Sequence, residues 1–461
     1  MFNYPPELLG GSFVLYKNAT LVTDTVFEAD LRVKGEKIAA IGRLEPEPGE
    51  AVLDLTGKLL LPGIIDAHTH YLLEARGALT ADDVYSGSVA ALIGGVTTVI
   101  DYANMIAGAP LSAGVDDRKR EFVASAVDYN LHLVITDELQ TADPADFAAL
   151  KQQGITSVKL FTTYREAGYM LSMSKWREIL AACRQAGLLV TVHAEDDEIV
   201  SAATAAGIAA GKTEPGHHPD LRPAAAEVEA VRKLISLCRE SGCPLYVVHL
   251  STGEALALLT EARAEGLPIY VETAPHYLLL DRASLARPDG AQYLMTPPLR
   301  TEADCHSLWQ GIGEGAIDVI ATDHCAYTPE QKALGKTALD ILPGIPGSET
   351  LLPLMYTYGV DRGRIELPQL VSLLATRPAE LFGLEGKGAL KVGADADLVV
   401  YDPEPRWQLS DDSVYTRAGY TPFAGTEICG QVEMTVLRGQ IVVRRGRFTG
   451  SRSQGRFVPE I

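Results

Sequence analysis

The sequence predicts an α/β protein: a (β/α)8 TIM barrel carrying a small β-sandwich-like domain built from both chain termini. Three observations lead there. Eight apolar, β-branched segments recur near 62–68, 96–102, 131–136, 155–161, 188–193, 245–250, 268–273 and 318–322. Helical stretches with recognisable ends separate most of them. Both ends of the chain read differently, as short strands punctuated by turns. Repeated strand–helix alternation builds a parallel sheet, and eight such units close into a barrel.

At the N-terminal end, Phe13 to Tyr16, Ala19 to Val22, Ala29 to Val33 and Lys37 to Ile41 are rich in β-branched and aromatic residues, with turns marked by Asn18, Asp24, Gly35 and Gly42. At the other end, Ala396 to Tyr401 reads as a strand stopped by Asp402-Pro403. Val432 to Leu437 and Gln440 to Arg444 flank an Arg438-Gly439 hairpin turn. The expected boundaries are 1–61 plus 387–461 for the β domain and 62–386 for the barrel. Within the barrel, Thr80-Ala81-Asp82-Asp83 and Thr301-Glu302-Ala303-Asp304 read as capping boxes opening helices, and Gly94-Gly95 closes the first. Gly187, Gly242 and Gly266 each precede a strand, where a helix end needs a left-handed residue. Thr204 to Ala226 is expected to form a loop over the mouth.

Composition narrows the function classes. Length 461 suits a barrel plus an accessory domain. A formal net charge of -20 argues against duplex nucleic acid and anionic membranes as partners, since both need clustered Lys and Arg. The six cysteines form no C-x-x-C pair, so a disulfide framework is not expected and a reducing cytoplasm fits best. No apolar run approaches the roughly 18 to 20 residues that span a bilayer. The start, Met1 to Pro6, does not read as a signal peptide.

Barrels of this kind place reactive groups at the C-terminal ends of their strands. The first strand ends in His68-Thr69-His70, and residues two apart on a strand face the same side, so both imidazoles can share one metal. The fifth ends in His193 and the sixth in His249. One buried histidine is usually a hydrogen-bonded core residue; two at barrel strand ends, among only ten in the chain, favour ligation. Asp323 follows the eighth strand, where an unpaired carboxylate would be costly and a cation relieves the cost. Its second oxygen can accept a proton as a general base. Lys159 lies inside the fourth strand, heading for the same mouth. An ammonium cannot ligate a metal, so from physics alone Lys159 is an unexplained charge.

Gly63-Ile64-Ile65-Asp66-Ala67-His68-Thr69-His70, Val158-Lys159-Leu160-Phe161, Val192-His193-Ala194-Glu195, Val247-Val248-His249 and Ala321-Thr322-Asp323-His324 together resemble the amidohydrolase superfamily, in its hydantoinase/dihydropyrimidinase branch. The resemblance covers nearly the whole chain. It implies that Lys159 is N6-carboxylated by carbon dioxide and that its carbamate bridges two divalent metal ions, usually zinc, with manganese an alternative. His68, His70 and Asp323 would hold one ion and His193 and His249 the other. Tyr164 matches an oxyanion-binding tyrosine. Thr296 stands where the family usually has serine and Pro343 where it often has asparagine; both positions are expected to hold the ring through backbone groups. Dihydroorotases carry an arginine where this chain has Leu72, which argues against that substrate. The family gives His276 no metal role, and it is expected either to support the site from behind or to be structural.

The implied activity is hydrolytic opening of a cyclic amide, hydantoin or dihydropyrimidine to N-carbamoyl amino acid, by a hydroxide that two bridged cations make available near neutral pH. An allantoinase or cyclic imidase of the same superfamily is the alternative, and a non-catalytic scaffold homologue a third. The ring substituent rests on the loops Tyr71 to Arg76, Met105 to Gly114 and Tyr164 to Met173. By analogy the assembly is a homotetramer or dimer, with a small cyclic ureide as partner and no nucleic acid or membrane.

Overall fold

The computed structural model describes residues 13–458. The N-terminal stretch in which no signal peptide was read, and the outermost residues of the expected β domain, lie outside the described residues. All eight expected segments form one parallel sheet: Ile64–Thr69, Val96–Asn104, Asp128–Val134, Ser157–Phe161, Leu189–His193, Leu245–Val247, Ile269–Thr273 and Val319–Ile320. Each pairs with its sequence neighbour, and a parallel bridge between Thr69 and His324 draws the eighth strand back to the first, nearly closing the barrel. Strands covered on both faces need no polar alternation, and these are buried almost throughout. Ile65, Ala67, Ile100, Tyr246, Val319 and Phe382 fill the barrel beneath its mouth. Whatever the strand ends display therefore sits on a packed floor.

A second, mixed sheet of nine strands is built from both ends of the chain. Leu59–Pro62 is its hinge: it runs parallel to Phe13–Val22 on one side and antiparallel to Leu398–Gln408 on the other. Val14, Tyr16, Leu31, Leu53, Val400 and Val436 form its separate core. The two segments expected between Phe13 and Val22 are one strand, interrupted by a bulge where Asn18 adopts φ 56°. Arg438 and Gly439 both have positive φ, as the expected hairpin turn requires.

Two local expectations change. The helix after the first strand begins at Val84, and its N-cap is Asp83, not Thr80. Asp82 cannot serve the cap because His324, Thr416 and the Arg417 N–H already occupy its carboxylate. Thr80 instead accepts from the Leu73 N–H and closes a hairpin. The 204–226 region is mostly helical, not a loop: Asp197–Ala209, a turn at Pro215–His217, His218–Leu221, then Ala224–Ser241. Its alanines favour helix, and His218 anchors it through a hydrogen bond to the Met295 carbonyl. The Thr301 capping box and the left-handed ends at Gly187 and Gly242 form as expected.

Candidate active site

The six residues expected as ligands converge at the C-terminal end of the barrel. His68 lies one residue before the end of the first strand and His70 just beyond it, their ring centroids 5.2 Å apart. Both Nε2 atoms approach one oxygen of Asp323, at 3.2 and 3.1 Å. His193 ends the fifth strand and His249 follows the sixth; Nδ1 of the first faces Nε2 of the second at 3.0 Å. The His68 and His249 centroids are 5.4 Å apart, which joins the two pairs. Lys159 is buried, its Nζ 5.2 Å from the Tyr102 ring and 5.3 Å from that of Phe161. Asp323 and His249 reach these positions from left-handed backbone, φ 51° and 40°. Non-glycine residues pay a steric penalty there, and such strain concentrates at functional sites.

Electrostatics favours neutral rings with free lone pairs. Burial holds His68, His193 and His249 below the ordinary imidazole range. A carboxylate fixes each key ring from behind. Glu272 lies 2.7 Å from His68 Nδ1, and also accepts from the Tyr246 hydroxyl and the His249 N–H. Glu195 lies 2.8 Å from His193 Nε2 and is itself held by Arg222. Carboxylates behind imidazoles orient the opposite nitrogen and raise its basicity as a ligand. Burial alone would raise the Asp323 carboxyl, but the imidazoles of His68, His70 and His249 hold it well below the usual carboxylate range. Burial pushes the Lys159 amine down to about 7, against the pull of Glu272 and Asp323.

His68, His249 and Asp323 offer ligand atoms within 4.8 Å of one another, so this group could bind a metal ion. One further feature fits a cation: His249 Nδ1 is buried without a hydrogen-bond partner. Imidazole nitrogen with carboxylate oxygen is a donor set that suits zinc or manganese.

A cavity of about 540 Å³ opens at this mouth, with His70, Leu72, Phe161, Tyr164 and Pro343 among its walls. Tyr164, at φ 67°, lays its ring beside His193, centroids 5.2 Å apart, with the Arg222 guanidinium 5.1 Å from the ring centre. Burial pushes its phenol up to about 12, so it is a hydrogen-bond donor at neutral pH. Thr296 lies against that phenol. The Gly344 N–H donates to the Leu294 carbonyl at 2.9 Å, which ties the Pro343 segment to the Thr296 segment. His276 is buried against the Tyr277 ring, centroids 4.2 Å apart, and burial lowers it to about 4.

Sequence reasoning assigned no role to Glu272, Glu195, Arg222 or Tyr102. Glu272 had a readable signal: like Lys159, it is a charge inside an apolar barrel strand. Glu195 sits two residues past a candidate ligand. Arg222 had none, because it arrives from a segment read as a loop.

Fold and donor set thus define a β/α-barrel protein with a His/Asp group that could hold a metal ion at its mouth. The chain belongs to the amidohydrolase family, whose description matches residues 59–442. It is 37% identical to a D-hydantoinase of Geobacillus stearothermophilus over 96% of both chains. It is 36% identical to a D-phenylhydantoinase of Escherichia coli, over 96% of this chain and 97% of that one. Among solved structures, dihydropyrimidinase from Brevibacillus agri superposes with a TM-score of 0.94 at 34% identity, covering 97% of this chain and 98% of the other. Among the described residues, no helix is long and apolar enough to cross a membrane.

Proposed function

We propose that this chain hydrolyses a cyclic amide, opening a hydantoin or dihydropyrimidine ring to an N-carbamoyl amino acid. The observation that carries the reading is the convergence of His68, His70, Lys159, His193, His249 and Asp323 beside a cavity walled by Tyr164. In this reading the four histidines and Asp323 would hold two divalent ions, zinc or manganese, and Lys159, carboxylated by carbon dioxide, would add an anionic ligand. When bound, such cations acidify water and polarise a carbonyl near neutral pH.

The protein's own groups do the rest. Tyr164, protonated at neutral pH, donates a hydrogen bond to the ring carbonyl oxygen as it gains negative charge. Asp323, kept ionised by its imidazole neighbours, takes the proton from the attacking water and delivers it to the leaving ring nitrogen. Backbone groups at Thr296 and Pro343 hold the ring. The chain acts in the cytoplasm on a small cyclic ureide, as a homotetramer or dimer.

The test is a ring panel on metal-replete enzyme: hydantoin, 5-substituted hydantoins, dihydrouracil, allantoin and succinimide. Turnover of a hydantoin or dihydropyrimidine, with stoichiometric zinc or manganese, is the expected result. Turnover of allantoin or succinimide alone would replace the ring assignment. No turnover, with no bound metal, would overturn the reading in favour of a scaffold role.

A further inference from the structure

The cavity at the mouth contains a cation that the proposed reaction does not use. Arg76 sits at the tip of the hairpin formed by Glu74–Ala75 and Ala78–Leu79, in left-handed backbone with φ 52°. Its guanidinium is held from one side only. Nη1 donates to the carbonyls of Leu339 and Ile341, at 2.9 and 3.2 Å. Among the described residues Nε and Nη2 have no partner, and Arg76 makes no ion pair. Those two N–H groups lie along one edge of the planar fork, the edge that takes a carboxylate through two parallel hydrogen bonds.

The surrounding charges leave Arg76 as the available one. Of the other ionisable groups lining the cavity, Asp101 and Glu121 are held by Arg118 at 2.7 and 2.5 Å, and Asp117 by Arg120 at 2.6 Å. Glu74, like Arg76 itself, is exposed to solvent. Arg76 shares the walls of this cavity with Tyr164, beside which the ring would react.

We propose that this end of the cavity is a subsite for an anion, and that the ring this chain opens carries a carboxylate arm clasped side-on by Arg76. The inference rests on the ring-opening reading above and adds the class of substituent. It also assigns Arg76 a role distinct from tethering the hairpin: tethering uses Nη1, recognition uses Nε and Nη2.

The test compares 5-(2-carboxyethyl)hydantoin with its neutral isostere 5-(2-carbamoylethyl)hydantoin, on wild type, Arg76→Gln and Arg76→Lys. Wild type is expected to favour the acid in kcat/KM by about tenfold to a hundredfold, the range for hydrogen bonds to charged groups. Arg76→Gln should erase that preference through KM while leaving the amide unchanged, and Arg76→Lys should restore it in part. Equal handling of acid and amide by wild type would overturn the proposal. So would an Arg76→Gln enzyme that loses both substrates alike, since that is the signature of a tether alone. Calorimetric titration of the acid gives a readout that does not need turnover. Arg76-dependent binding with no ring opened would leave the anion subsite standing and remove the ring-opening reading. Neither binding nor turnover would overturn both.

Discussion

The two ends of the barrel each bury a cluster of ionisable groups, and the clusters differ in kind. Where the strands begin, Lys387 Nζ lies 2.6 Å from Asp128, 2.7 Å from Asp397 and 2.9 Å from Asp395. Arg438 also pairs with Asp128, and the N–H groups of Arg438 and Arg456 donate to Asp397 and Asp128. Charges alternate, and each carboxylate has donors. This cluster ties the third barrel strand to the C-terminal part of the mixed sheet. Where the strands end, like groups face one another. Two imidazole nitrogens meet at 3.0 Å, His249 Nδ1 has no partner, and Lys159 forms no ion pair among the described residues. Tyr164, His249 and Asp323 all sit at positive φ. Native proteins pair their buried polar groups. A cluster that satisfies itself is a structural clasp, whereas one that leaves lone pairs converging calls for a cation.

The same substitution at the two ends puts that contrast to its strongest test. Lys387→Met strips three aspartates of their ammonium and is expected to cost about 3–5 kcal/mol, the range for breaking a buried pair. Urea unfolding measures it, and metal content per folded molecule should stay at the wild-type level. Lys159→Met removes a buried ammonium with no ion partner, so the metal-free protein should unfold at the same urea concentration or higher. Its zinc and manganese content and its turnover should vanish. If Lys159→Met unfolds the protein and Lys387→Met strips the metal, the contrast is reversed.

Tyr164→Phe is a smaller change at the mouth. It keeps the ring beside Arg222 and removes only the hydroxyl. The expected loss in kcat is about 100- to 1,000-fold, the range for one oxyanion donor, with KM and urea midpoint unchanged. Glu272→Gln is smaller still. It keeps shape but weakens the group behind His68, and competitive chelator titration should show metal affinity falling by about 10- to 100-fold.

Much of this architecture was legible in the residues. The eight barrel segments could be read because a strand buried on both faces leaves an apolar, β-branched run whatever its partners. The histidines and Asp323 could be read because each lies at the end of such a run. Lys159 was visible as an anomaly, but its reason came from resemblance. Glu272 could have been flagged by the same rule. Arg222 could not, because its segment was read as a loop and its partners, Glu195 and Tyr164, lie far away in the chain. The Thr80 capping box failed for a different reason: Thr80 bonds the Leu73 N–H within a hairpin, and Asp83 caps the helix itself through the Ser86 N–H.

The sequence alone therefore determined what depends on local period and on strand position: the barrel, the sheet shared by both termini, and the types of side chain at the mouth. Only the tertiary structure decided which of those side chains meet and how they are held. It turned His193 toward His249 by placing Glu195 behind it, and joined Asp323 to both His68 and His70. It also left one edge of Arg76 open to the cavity. These are distances between residues remote in the chain, set by barrel closure and packing, and no local pattern encodes them.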